Sequence, residues 1–356
     1  MFSKKSKKAT RPLADIARKA VLLDPSSCVV PAQGQHSQAV PFILQPGTDF
    51  VHLGEWLHFQ GDLWESWLNQ YGALLFRGFP LETQADFSKL FTQSQQICLS
   101  YSYDSTPRSQ LGENIYTSTE YPAEAFIPQH NEMAYAASWP LRLWFFCQTP
   151  ADSGGQTPLS NSHAVYRAID PAIRETFEEK GLLYSRNYSP HLDIPWQKVF
   201  GTEKKAQVEH YCQANGLTCH WRGDGTLHTT QKLPAVRHHR QTGQKVWFNQ
   251  AHLFHISGLP ENIQRTLKAE LDPWHFPRHC FFGDGSAIPE SSLDHIRGVY
   301  LENTITWTWQ KGDLLVIDNM AMGHGRLGFQ GARKILVAMT DQATSDASVE
   351  GGVYGT

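Results

Sequence analysis

Seventeen histidines are spread along the chain of 356 residues, and two of them stand two positions ahead of a carboxylate, in His130-Asn131-Glu132 and in His191-Leu192-Asp193. On a strand, side chains at i and i+2 point to one face, so either tripeptide could offer an imidazole and a carboxylate to the same ion. Context separates the two. The first is followed by the aromatic stretch Leu143-Trp144-Phe145-Phe146 and by Gly154-Gly155-Gln156-Thr157. The second lies between Pro190 and Pro195, where strand pairing is hindered by the missing N–H. His130 and Glu132 are therefore the candidate ligands, and His191 reads as an ordinary loop histidine.

A further ligand has to come from elsewhere in the chain. The run Gly312-Asp313-Leu314-Leu315-Val316-Ile317-Asp318-Asn319 reads as a strand that feeds back to the core, and His324 follows it between Gly323 and Gly325. Small neighbours let backbone approach a metal closely. His252 and His255, in Asn249-Gln250-Ala251-His252-Leu253-Phe254-His255, read instead as hydrogen-bonded loop or core histidines. Two imidazoles and one carboxylate leave positions open on an octahedral ion, the set used by oxygen-activating non-haem iron(II). The ligands alone also suit a hydrolytic zinc site.

Arg333 bears on that choice. In Arg333-Lys334-Ile335-Leu336-Val337-Ala338-Met339 it shares a face with Ile335, Val337 and Met339 and so points inward. A buried guanidinium is costly unless it meets an anion, and its planar fork matches a carboxylate. A dicarboxylate that chelates the metal at one end would set its far carboxylate at such a residue. An internal salt bridge is the other reading of the same arginine.

The elements around these residues indicate one large domain. Hydrophobic residues make up 40% and charged residues 18%, with 11 Trp and 19 Phe, enough apolar bulk for a substantial core. A net charge of −3 and the lack of a basic stripe in the body of the chain argue against nucleic acid as a partner. No window approaches a membrane span. The six cysteines are scattered without a C-x-x-C pair, and the start MFSKKSKKAT has no apolar run of the kind a secretory leader needs; a cytoplasmic protein is expected.

Residues 1–44 divide into a basic tail, with Lys4, Lys5, Lys7, Lys8 and Arg11, and a lead-in; residues 31–48 look like loop. Residues 53–71 carry helical spacing, Ala73-Leu74-Leu75-Phe76 reads as a buried strand, and short apolar runs with turn residues follow, including 141–147, 246–248, 304–309, 314–317 and 335–339. The clearest later helical patterns are 162–179 and 261–271. Many short strands with Gly-containing turns argue for an all-β core, a sandwich or a jelly roll with helices packed outside.

The motifs resemble those of the TauD/TfdA family of 2-oxoglutarate oxygenases, in its branch of clavaminate-synthase-like and syringomycin-pathway hydroxylase-like enzymes. The residues that carry the resemblance are YGALLFRGFP (71–80), PQHNEMAY (128–135), GGQTP (154–158), VWFNQAHLFH (246–255), Gly283-Asp284-Gly285-Ser286 and Lys311 to Met339. It implies a double-stranded β-helix of the cupin-like kind over residues 45–341, with residues 342–356 as a C-terminal tail, and an iron(II) held by His130, Glu132 and His324. It also implies 2-oxoglutarate and oxygen as co-substrates, the former bound by Thr157 and Arg333. The implied reaction hydroxylates an unactivated C–H bond of an amino acid or amino-acid-derived small molecule, free or presented on a carrier protein. Desaturation, cyclisation, or action on a sulfonate or aryloxyacid would use the same cofactors. Candidates for the substrate wall are Asn131, Arg108, Asn249 and Arg326. A non-catalytic jelly-roll binding module and a zinc hydrolase are the readings from other classes.

Overall fold

Leu314-Leu315-Val316-Ile317 is apolar at every position, and a strand of that kind has to be covered on both faces. In the computed structural model, which describes residues 24–100, 110–112, 114–118, 121–189 and 193–345, all four side chains are fully buried. The strand Leu314–Asp318 lies between Ala73–Phe76 and Ser138–Thr149 in an eight-stranded sheet. Lys334–Thr344, Ile115–Thr117 and Gln110–Gly112 continue the sheet on one side, and Phe42–Pro46 and Val29–Pro31 on the other.

Alternation then sorts the side chains. Trp144, Phe146, Leu314, Val316, Leu336 and Ala338 share one cluster with the helices Leu53–Phe59, Gly61–Tyr71 and Gln84–Ser94. Leu143, Phe145, Leu315, Ile317, Ile335 and Val337 share another, on the opposite face. Phe145, Ile335 and Val337 from that second face line a pocket together with residues of a three-stranded sheet, ordered Ile127–His130, Met322–Arg326, Leu159–Asn161. The two sheets form the jelly roll, and the pocket lies between them.

Several local expectations shift. The 31–48 stretch contains a strand, Phe42–Pro46, that pairs in parallel with Ala73–Phe76 and antiparallel with Val29–Pro31, so the boundary drawn at residue 45 falls within a strand. At the other end, Lys334–Thr344 runs past residue 341. The helical stretch at 53–71 is two helices meeting at Gln60. That at 162–179 is also two, because Asp170 caps a new helix whose first residue is Pro171. Residues 304–309 form no strand; a single bridge joins Ile305 to Leu159.

Residues 162–302, between the strands Leu159–Asn161 and Leu314–Asp318, form a layer that periodicity did not announce. A four-stranded antiparallel sheet, ordered Leu217–Trp221, Leu227–Leu233, Leu182–Tyr188, Arg278–Phe282, supports its own core, with Phe177, Tyr184, Trp247 and Phe282 among its buried residues. Among the described residues no helix is long and apolar enough to cross a membrane. Arg108 and His191 lie outside the described residues, as do the basic residues of the tail.

Candidate metal centre

His130 and His324 face each other directly across the antiparallel pair of Ile127–His130 and Met322–Arg326. Residues opposite one another on one face of such a pair are close neighbours, and the two imidazole rings lie 4.6 Å apart between centroids. His130 Nδ1 is 2.9 Å from Pro128 O. A carbonyl can only accept, so Nδ1 carries the proton and Nε2 keeps its lone pair for a metal. The glycines around His324 serve strand approach rather than access to an ion: a Cβ on Gly325 would lie 2.4 Å from Ile127 O, and one on Gly323 2.9 Å from Ser160 Oγ.

Glu132 is not on the strand that carries His130. The strand ends at His130, and residues 132–135 form a turn in which Met133 adopts φ 56°. Strand alternation therefore does not place the carboxylate. Asn319 fixes the backbone that carries it: its Oδ1 accepts from Glu132 N at 2.7 Å, and its Nδ2 donates to Glu132 O at 2.9 Å and to Pro140 O at 2.8 Å. The clamp comes from a residue 187 positions away. Ligand atoms of His130, Glu132 and His324 lie within 4.8 Å of one another, a spacing at which one ion can be held by all three.

Arg333 and Thr157 line the same pocket as the two imidazoles. Arg333 Nε donates to Gly155 O at 3.0 Å and Nη1 to Ser118 Oγ at 3.3 Å. Among the described residues no carboxylate forms an ion pair with it. Burial, and then the nearby Arg326, push its pKa down to about 10. Gly155, at φ +68°, is required here because a Cβ would press on Arg333 Cδ at 3.0 Å and Nε at 3.1 Å. Thr157 is buried, its Oγ1 accepting from Trp309 Nε1 at 3.1 Å and its carbonyl from Trp307 Nε1 at 3.0 Å.

Of the residues expected at a substrate wall, Asn131 and Asn249 do not line this pocket, Arg326 does, and Arg108 lies outside the described residues. Asn131 is fully buried and donates to Ser162 Oγ at 2.9 Å and Asn319 O at 2.6 Å. Asn249 is fully buried as well, donating to Ala235 O at 2.8 Å and accepting from Ala251 N at 3.0 Å. Both amides hold backbone, as buried polar side chains must when no ligand meets them. Arg326 does line the pocket, but its guanidinium donates to the carbonyls of Tyr121, Pro122 and Ala125 and so organises a loop. His252 bonds Gln129 O at 3.0 Å, and His255 bonds Ser257. Sequence reasoning missed Asn319, Ser118 and Trp309. Only Asn319 carried a signal, as an asparagine directly after an apolar strand.

A family model described as taurine catabolism dioxygenase TauD, TfdA family, matches residues 38–340. The dapdiamide synthesis protein DdaC of Enterobacter agglomerans is 39% identical over 274 residues, covering 77% of this chain and 83% of its own. A clavaminate synthase-like protein of Arabidopsis thaliana is 30% identical over 286 residues, with 77% and 83% covered. Among solved structures, PvcB of Pseudomonas aeruginosa matches with a TM-score of 0.51 at 16% identity, over 90% of this chain and 93% of that one. Another PvcB structure, described as that of an Fe, alpha-ketoglutarate dependent oxygenase from an isonitrile synthetic pathway, matches with a TM-score of 0.50. At that identity the likeness speaks for the fold.

Proposed function

Because the chain belongs to the TauD/TfdA family and is an Fe(II)- and 2-oxoglutarate-dependent dioxygenase, we propose that His130, Glu132 and His324 hold its iron and that Thr157 and Arg333 hold its 2-oxoglutarate. We propose further that it hydroxylates an unactivated C–H bond of an amino acid or amino-acid-derived small molecule, free or tethered to a carrier protein.

The observation that carries the co-substrate assignment is Arg333. A half-buried cation with no acidic partner among the described residues shares a pocket with His130 and His324, and desolvation makes an arriving carboxylate the natural counter-charge. The donor set fits iron: one proton-fixed imidazole, a second imidazole opposite it and one carboxylate on a backbone held by Asn319. When bound, iron and 2-oxoglutarate supply the oxygen activation that breaks a C–H bond. The chain's own residues bind and orient. Arg333 presents its fork to the distal carboxylate, Thr157 offers a hydroxyl beside it, and Phe145, Ile335 and Val337 keep water from the pocket wall.

Glu132 argues for hydroxylation over halogenation. If iron binds here, the Glu132 carboxylate would hold it at the place a halide would otherwise need, so oxygen rather than chloride is the group expected in the product. The substrate class leans on the relatives, one of them named for dapdiamide synthesis and the other as clavaminate synthase-like. Succinate release, screened across free amino acids and carrier-bound aminoacyl groups, tests the class. Turnover under labelled oxygen with added chloride tests the outcome by mass spectrometry: one labelled atom is expected in succinate and one in product. A chlorinated product would overturn the ligand assignment; loss of two hydrogens without oxygen gain would redirect the reaction to desaturation or ring closure.

A further inference from the structure

Residues 306–310 belong to no strand, yet they are pinned from three sides. Ile305 bridges Leu159, Arg77 Nη2 donates to Thr308 O at 2.9 Å, and Gln310 N donates to Asp313 Oδ2 at 2.7 Å. Arg77 in turn holds Asp313 with two bonds, at 2.9 and 2.7 Å. Between these anchors the indoles of Trp307 and Trp309, with ring centroids 4.2 Å apart, both donate to one residue, Thr157. Trp307 takes the carbonyl and Trp309 the hydroxyl.

An indole N–H only donates, whereas a threonine hydroxyl has one proton and two lone pairs. The bond from Trp309 occupies a lone pair, and the Thr157 proton has no acceptor among the described residues. Thr157 is 3% exposed and lines the pocket, so a ligand bound there can supply the acceptor for that proton. We propose that Trp309 is a positioning residue for the co-substrate: by donating to Thr157 Oγ1 it fixes the hydroxyl as a donor into the pocket. The inference rests on the assignment of Thr157 to 2-oxoglutarate and adds what sets its hydroxyl.

The test measures the dissociation constant of 2-oxoglutarate calorimetrically on the iron-loaded protein without oxygen, alongside iron affinity and thermal midpoint. Trp309→Phe should weaken 2-oxoglutarate about tenfold, the scale of one hydrogen bond to a charged group, with iron affinity unchanged. Thr157→Val should weaken it similarly. In the Thr157→Val background, Trp309→Phe should add less than about twofold, because a residue acting through the hydroxyl has nothing left to act on. Trp307→Phe, which removes the bond to the carbonyl, should change the affinity by less than about twofold.

Unchanged affinity in Trp309→Phe would overturn the inference, as would full additivity in the double variant, which would make the indole a packing element. Unchanged affinity in Thr157→Val would overturn both the inference and the Thr157 assignment, so the two failures are distinguishable. Should Trp309→Phe fold poorly, Thr157→Ser decides. Serine keeps the hydroxyl under the intact indole and should stay within about twofold of the parent; a serine variant as weak as the valine one would show that the methyl group matters and overturn the proposal.

Discussion

Two partly buried arginines, one in each part of the molecule, are handled in opposite ways. In the inserted layer Arg278 presents Nε and Nη2 to Asp193 at 2.9 and 2.8 Å, and Arg186 stands beside the same carboxylate at 3.9 Å. Burial alone would raise the Asp193 carboxyl, but the Arg278 fork and Arg186 bring it below the usual carboxylate range. In the jelly roll Arg333 has, among the described residues, a carbonyl and a hydroxyl as hydrogen-bond partners and the Phe329 ring beneath it. The histidines divide in the same way. His255 and His279, ring to ring at 4.3 Å, are held neutral by burial, whereas His130 and His324 converge with a carboxylate. Arg278 is balanced within the fold and reads as scaffold, whereas Arg333, with no carboxylate partner among the described residues, leaves room for an anion that arrives.

The sharpest way to break this contrast is to exchange the histidines. His130→Ala, His324→Ala or Glu132→Ala should each abolish iron binding and turnover, read by metal analysis and succinate release, while His279→Phe should keep its iron. A His279 variant without iron would dissolve the distinction. Next in size, Arg278→Leu strands the Asp193 carboxylate. Breaking a buried pair costs roughly 3–5 kcal/mol, and with Arg278 27% exposed a loss of about 2–3 kcal/mol in unfolding free energy is expected, with 2-oxoglutarate affinity unchanged. Arg333→Leu should do the reverse. It removes about 1.5–3 kcal/mol of 2-oxoglutarate binding and leaves the melting temperature level or higher, because an unbalanced charge has gone. Arg333→Lys should also bind weakly, since a point charge does not reproduce the fork.

The smallest effect per residue is a pH dependence. His228 and His255 have pKa values lowered to about 4 and His279 to about 3, in each case chiefly by burial. Their unfolded values lie near 6.5. Between the two, the unfolded chain takes up protons that the native one refuses, so stability is present above about pH 6.5 and falls as pH drops toward 4. Each group should cost up to about 0.7 kcal/mol between pH 7 and pH 6. Thermal midpoints at the two pH values read this, and His255→Gln should flatten the profile.

What could be read from the sequence followed from periodicity and from residue chemistry. Leu314–Asp318 and Lys334–Thr344 were visible as apolar runs, and Arg333 was visible as a cation on an apolar face. The convergence of His130, Glu132 and His324 was anticipated, but for a partly wrong reason. Alternation on one strand was expected to aim Glu132, and Asn319, from a distant turn, holds the backbone that carries it instead. Asn131, between His130 and Glu132, and Asn249, in the VWFNQAHLFH stretch, were offered as pocket residues, and backbone acceptors distant in sequence hold both instead. Trp309 was taken as part of a strand. Its role depends on where residues 306–310 are tied down, which no local pattern records.

The pairing of His130 opposite His324 also makes the proposed iron site a gauge of assembly. The two strands come from distant parts of the sequence, with the whole of residues 162–302 looped between them, so the loop must close before two ligands can meet. A slip of one position along either strand would send one imidazole to the other face. An ion that grips both rings thus rewards only the correct alignment, and it stabilises the closed chain by mass action as its concentration rises. Iron supply would then govern how much of the newly made chain persists in its native form, apart from any part iron plays in turnover.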